Sequence, residues 1–195
     1  VTALCPHVEI IEAVIGYENI LHFSSPLSML ALHTVELAYG DTEMGFSLSS
    51  LVPLFKAAPN LSVIRCHSMS DELEDGDELE DGDDLGVTLE KVKKVELLNS
   101  AISAYALGVL LRTCPGLEMF KYDAGGATTG YMQFNPSEAR DLMMGHGGSL
   151  KRVVMDLTHG HECWDSSEND WFKEERGAVE EAFKVKGIEF ELFGC

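Results

Sequence analysis

The stretch Val109-Leu-Leu-Arg-Thr-Cys-Pro-Gly-Leu-Glu-Met-Phe-Lys-Tyr122 carries the fold in miniature. An apolar run with helical pattern, Ser103 to Thr113, ends at a small residue and Pro115. A turn residue follows, and from Leu117 apolar and polar residues alternate. Proline has no N–H for a helix to use, so it stops one. The alternation starts a strand with one buried face. The same succession recurs in Leu51-Val-Pro-Leu-Phe-Lys-Ala-Ala-Pro, where the helical pattern spans Ser47 to Ala57, followed by Asn60-Leu-Ser-Val-Ile64. Its second half appears in Cys5-Pro-His-Val-Glu-Ile-Ile11.

Between these lie Leu32-His-Thr-Val-Glu-Leu, Val92-Lys-Lys-Val-Glu-Leu and Leu150-Lys-Arg-Val-Val-Met. All six segments fit one template, apolar-x-x-apolar-x-apolar. Its triplets are Val8/Ile11/Ala13, Leu32/Val35/Leu37, Leu61/Ile64/Cys66, Val92/Val95/Leu97, Leu117/Phe120/Tyr122 and Leu150/Val153/Met155. Successive starts are 24, 29, 31, 25 and 33 residues apart. That approaches the roughly 20–29-residue period of leucine-rich repeats, with insertions. One such unit cannot bury its apolar edge alone, whereas a stack of them can. The expected fold is therefore α/β: one leucine-rich-repeat-type solenoid over 1–195, with short parallel strands on a concave face and helices on the convex face. Strands are expected near 8–13, 32–37, 61–66, 92–97, 117–122, 150–155 and 188–192. Asn135, Pro136 and Glu138 read as N-cap, first turn and capping box of a further helix. A charged helix over about 169–184 and the strand Ile188-Glu-Phe-Glu-Leu make 169–195 a C-terminal cap.

In Leu51-Val-Pro-Leu-Phe-Lys-Ala-Ala-Pro-Asn-Leu, Leu110-Leu-Arg-Thr-Cys-Pro-Gly-Leu-Glu and Leu150-Lys-Arg-Val-Val-Met-Asp-Leu-Thr-His the chain resembles the leucine-rich-repeat superfamily. More narrowly it is similar to the F-box/leucine-rich-repeat-like proteins of fungi, over about residues 1–160. The resemblance implies a substrate-recognition repeat region of an F-box-type ubiquitin-ligase adaptor. The F-box itself is not in this chain and would lie before Val1. Val1 opens in mid-pattern without an initiator Met, so the chain reads as part of a longer one. The ninth repeat position, normally Asn or Cys in the family, is Gly16, Gly40, Met69, Ser100, Gly125 and Thr158. The asparagine ladder is missing and the turns must be built differently.

Composition narrows the function classes. The formal charge is -19 and 45% of residues are hydrophobic. That composition supports a buried core, and the acidic field disfavours nucleic acid. Asp71-Glu-Leu-Glu-Asp-Gly repeats as Asp77-Glu-Leu-Glu-Asp-Gly within an acidic run, so 70–86 reads as a low-complexity, disordered insertion. As an EF-hand it fails: position 3 is Leu73 or Leu79, where oxygen ligands are needed. No apolar stretch approaches the roughly 18 residues of a membrane span. Five cysteines without a CxxC argue for reduced thiols and an intracellular, cytoplasmic or nuclear setting.

Signals for chemistry are few. His159, His161 and Cys163 alternate, and an extended backbone would set all three on one face as zinc-type ligands. They are the metal candidates and would support a metal-dependent hydrolase. Gly125-Gly-Ala-Thr-Thr-Gly130 has the glycine spacing of a phosphate loop, but Tyr131 and Met132 stand where Lys and Ser/Thr are required. His146-Gly-Gly lacks any accompanying Gly-x-Ser-x-Gly elbow. No catalytic residue and no cofactor are expected, and the chain reads as a non-enzyme.

The residues between the apolar template positions point the other way. From the third repeat they include Arg65, Lys93, Lys94, Lys121, Lys151 and Arg152, against Glu96 and Glu118. This basic stripe in an acidic chain is the candidate partner-binding site, suited to an acidic or phosphorylated protein segment. The acidic run could contest it. A free-standing repeat scaffold without a ligase role is the alternative within the binding class.

Overall fold

The computed structural model describes residues 7–16, 29–40, 45–70, 85–125, 136–146, 148–158 and 169–193. The acidic run at 71–84, and with it most of the expected 70–86 insertion, lies outside them, as does Asn135. The chain is α/β. Seven strands, β1 (Ile10–Ile15), β2 (Thr34–Tyr39), β3 (Val63–His67), β4 (Lys94–Ser100), β5 (Met119–Ala124), β6 (Arg152–Asp156) and β7 (Glu189–Phe193), form one open sheet. Each strand pairs in parallel with the next in sequence. The helices are α1 (Val52–Ala57, led in by a 3-10 turn at Ser49–Leu51), α2 (Ala104–Thr113), α3 (Pro136–Gly145) and α4 (Asn169–Val185). None is long and apolar enough to cross a membrane among the described residues.

The template of the sequence is the register of the sheet. Ile11, Val35, Ile64, Val95, Phe120 and Val153 are successive ladder partners, continued by Phe190. Ala13, Leu37, Cys66, Leu97, Tyr122, Met155 and Leu192 form the second such row. From β2 to β6 every member of both rows is at most 1% exposed. These rows share one core with Leu54 and Phe55 of α1, Leu107 and Leu110 of α2, Met143 of α3 and Phe183 of α4. Each large side chain buried there contributes about 1.5–3 kcal/mol.

The first six strands begin two residues after the expected starts, and the last begins one residue after. The first apolar residue of each template sits in a turn instead. Leu32, Leu61, Val92 and Leu117 donate their N–H to the carbonyls of Met29, Ala58, Leu89 and Cys114, three residues back. All four are fully buried there. The next two residues then bond across to one carbonyl of the preceding unit. Ser62 and Val63 both donate to His33 O, Lys93 and Lys94 to Ser62 O, Glu118 and Met119 to Lys93 O, and Lys151 and Arg152 to Glu118 O. His33 and Thr34 do the same to Glu9 O. The spacing between strands is thus held by main-chain bonds that recur five times.

Helix signals are local. Ser103 caps α2 by accepting from the Ala106 N–H at 3.2 Å. Cys114 N–H closes its last turn on Leu110 O, and Pro115 follows. α2 packs against α3, and α3 against α4. At the ninth repeat position Ser100 is fully buried. Its hydroxyl accepts from Met69 N at 3.1 Å and donates to Leu98 O, while its carbonyl accepts from Tyr122 Oη at 2.8 Å. One serine thus ties the end of β4 to the segments on both sides of it. The adjacent Asn99 has φ 47°, in the left-handed region where Asn is tolerated, and the β4–β5 register shifts there.

Candidate interaction surface

The face opposite the core is where the charged residues gather. Strand alternation puts Glu12, Glu36, Arg65, Glu96, Lys121, Val154 and Glu191 in one row across all seven strands. A second row is Ile10, Thr34, Val63, Lys94, Met119, Arg152 and Glu189. Lys93, Glu118 and Lys151 lie just before their strands and pair with one another. Of the six candidate bases, Arg65, Lys94, Lys121 and Arg152 share the outward rows of adjacent strands.

They do not form a bare basic stripe. Arg65 bridges β2 and β4, donating from Nη1 to Glu36 at 2.6 Å and from Nε to Glu96 at 2.8 Å, with Nη2 also 2.7 Å from Glu96. Lys94 lies 3.1 Å from the same Glu96. Lys93 and Lys151 converge on Glu118. Arg152 reaches Glu191 at 2.6 Å, with Glu189 at 3.7 Å. Five of the six bases are neutralised within the fold, and Lys121 alone has no carboxylate within ion-pair distance among the described residues. The excess of bases came from starting at the third repeat. Glu12, Glu36, Glu189 and Glu191, on the first two strands and the last, restore the balance. They were visible as polar positions of Val8-Glu-Ile-Ile-Glu-Ala, Leu32-His-Thr-Val-Glu-Leu and Ile188-Glu-Phe-Glu-Leu.

The electrostatics follow these pairs. The Arg65 guanidinium, helped by His67 at 3.4 Å, holds the Glu36 carboxyl below the ordinary range. Burial opposes ionisation of Glu96, whose side chain is 9% exposed, yet hydrogen bonds from Arg65 and Lys94 outweigh it and the pKa falls. Lys151 and then Lys93 lower that of Glu118. Glu36 and Glu96 in turn raise Arg65, as Glu191 raises Arg152. Lys121 has Glu96 on β4 and Val154 on β6 as ladder partners, with Met119 half-buried beside it on β5 and Leu98 half-buried on β4. Glu96 is already held by Arg65 and Lys94, so Lys121 is a cation without an ion pair of its own among the described residues, between an apolar neighbour on one side and closed ion pairs on the other.

Other candidates fall elsewhere. His159, His161 and Cys163 lie outside the described residues, as does the phosphate-loop lookalike beyond Gly125. Among the described residues no group of three His, Cys, Asp or Glu is placed to hold a metal ion. Cys66 and Cys114 are buried free thiols, and burial pushes both up to about 12. At neutral pH they are protonated and poor nucleophiles. Cys5, Cys163 and Cys195 lie outside the described residues. His146, at the end of α3, is held below its ordinary value by burial.

No family model, curated protein or solved structure matches the chain.

Proposed function

We propose that the chain is a leucine-rich-repeat-type solenoid whose open sheet face binds a protein partner. The observation that carries this is the sheet itself. Parallel sheets are ordinarily covered on both faces. Here seven sequential strands turn one face to the core, buried from β2 to β6, and among the described residues offer the other as ordered, mainly polar rows of side chains. The recurrent turn and shared carbonyl at each strand support a stack of equivalent units in which each touches its neighbours.

Within that face the docking point is Lys121, between Val154 and the already committed Glu96, matched to an acidic or phosphorylated segment. A free ammonium keeps its full charge for a partner, whereas a paired one must first surrender its internal carboxylate. The resemblance to F-box/leucine-rich-repeat-like proteins makes that segment part of a ubiquitination substrate. A free-standing scaffold would use the same face.

The test is retention on a panel of acidic and phosphoserine peptides at low salt. Wild type should retain a subset, and Lys121→Glu should lose at least ten-fold in affinity for it with an unchanged melting temperature. Equal retention by both proteins, or none by wild type, sinks the reading. Stoichiometric zinc in purified protein would instead favour the metal-dependent hydrolase.

A further inference from the structure

The two arginines of the open face are used to different degrees. Arg65 places every guanidinium nitrogen on a carboxylate, Nη1 on Glu36 and both Nε and Nη2 on Glu96. Arg152 commits Nη2 to Glu191 at 2.6 Å. Its Nε is shielded from solvent, lies 3.7 Å from Glu189 and makes no hydrogen bond among the described residues. A donor left in that state is unfavourable until an acceptor reaches the guanidinium. Lys94 is also under-used. An ammonium offers several N–H groups, and Lys94 is paired with Glu96 alone, at 3.1 Å. Ion pairing offsets the charge of these two bases but leaves donors over.

The sheet register gathers these donors around Lys121. Lys94, Met119 and Arg152 are successive ladder partners on β4, β5 and β6, and Lys121 stands two residues beyond Met119 on the same face. Lys94 and Arg152 therefore lie diagonally on either side of Lys121, about 8 Å away at the backbone, a gap that long side chains close. Half-buried Met119 lies between them. Past Lys121 the sign of the face changes. Asp123 and Asp156 are ladder partners in the next row, and Glu189 and Glu191 stand on the β7 side. One anionic group fits between these carboxylates, whereas a polyanion laid across the face would meet them.

We infer that Lys94, Lys121 and Arg152 form a subsite for a single phosphoryl group, carried on a phosphorylated serine or threonine of the partner segment. The subsite rests on Lys121 as the docking point and names the chemistry that point selects. A carboxylate brings one charge, which Lys121 alone satisfies. A phosphate monoester carries about −1.5 to −2 charge at neutral pH and three strong acceptor oxygens. One oxygen takes the ammonium of Lys121, and the others take the unused donors of Arg152 and Lys94 with no internal ion pair broken. The planar guanidinium suits phosphate in particular. The face thus separates phosphoserine from glutamate, which a lone lysine would not do.

The probe is an alanine-based heptapeptide with phosphoserine, glutamate or serine at its centre, titrated by calorimetry at low salt, with inorganic phosphate as a separate ligand. The phosphoserine peptide should bind about ten-fold more tightly than the glutamate peptide, and the serine peptide should not bind measurably. Arg152→Gln and Lys94→Gln should each remove most of that preference while leaving the glutamate peptide within about two-fold of wild type. Glu191→Gln releases the one hydrogen bond of Arg152 and should raise the affinity for phosphoserine, a gain that a disturbed fold would not produce. Lys121→Glu should lose both anionic peptides. Equal affinity for phosphoserine and glutamate, both lost in Lys121→Glu, would leave the docking point standing and overturn the phosphoryl subsite. A preference that survives both Arg152→Gln and Lys94→Gln would overturn it too. Inorganic phosphate bound as tightly as the phosphoserine peptide would overturn it in favour of the free ion. A wild type that binds neither anionic peptide sinks subsite and docking point together.

Discussion

At the β7 end of the sheet a helix returns over the last strand, whereas among the described residues no helix covers β1. Leu192 is 6% exposed and Phe183 of α4 is fully buried. Ala13, the counterpart of Leu192 in its row, is only partly buried, while Ile11 and Phe190, the two ends of the other row, are both partly buried. The two outermost strands obey one template, so the strand sequence does not decide whether an end is closed. α4 does, by supplying Val179 and Phe183 to the core and Arg176 to a stray carbonyl.

Five substitutions set that contrast against measurement. Phe183→Ala should cost the most, about 3–5 kcal/mol by urea denaturation, because it empties a closed site. Ile11→Ala at the open end should cost less than half as much, and equal losses would break the comparison. Glu96→Gln, between the ends, should cost about 1.5–3 kcal/mol through its hydrogen bonds to Arg65 and Lys94. The same variant should blunt the acid sensitivity of the wild type. Glu36, Glu96 and Glu118 are lowered in the folded state. Their contribution is therefore complete above the unfolded value of about 4.3 and disappears as pH falls through the lower folded values. The urea midpoint should hold from neutral pH to about pH 5 and drop below about pH 4. Ser100→Ala should cost about 1–2 kcal/mol by leaving the buried Met69 N–H without its acceptor. Arg176→Ala should change stability least, by roughly 0.5 kcal/mol. It should nevertheless loosen the β7 edge, read as faster exchange at its outward amides.

Much of the sheet was legible because its side-chain period is two. A slip of one residue would turn Leu37, Cys66 and Tyr122 outward, so apolar spacing alone fixes the register. The strand starts were not legible, because Leu32, Leu61, Val92 and Leu117 are apolar for the sake of a turn and not a ladder. The pairing of bases with acids was hidden for another reason. Arg65 meets Glu36 and Glu96 only when strands from distant parts of the sequence lie side by side. Lys121 looks like its five neighbours in sequence and differs from them in that its carboxylate ladder partner, Glu96, is already taken by Arg65 and Lys94. Ser100 was also obscure: nothing about a lone serine at the end of a strand signals that its hydroxyl and carbonyl will tie neighbouring strands together.

The shared carbonyl at the start of each strand has an evolutionary corollary. The joint between units is made by backbone atoms, which nearly any residue provides. The chain linking one joint to the next can therefore lengthen or shorten without altering the rise of the stack, and template starts already range from 24 to 33 residues apart. In this architecture insertions and deletions between joints should be tolerated far better than a proline at Val63, Lys94 or Met119, whose N–H groups make the joints. Lineages of such a protein would diverge first in length and only later in the strands.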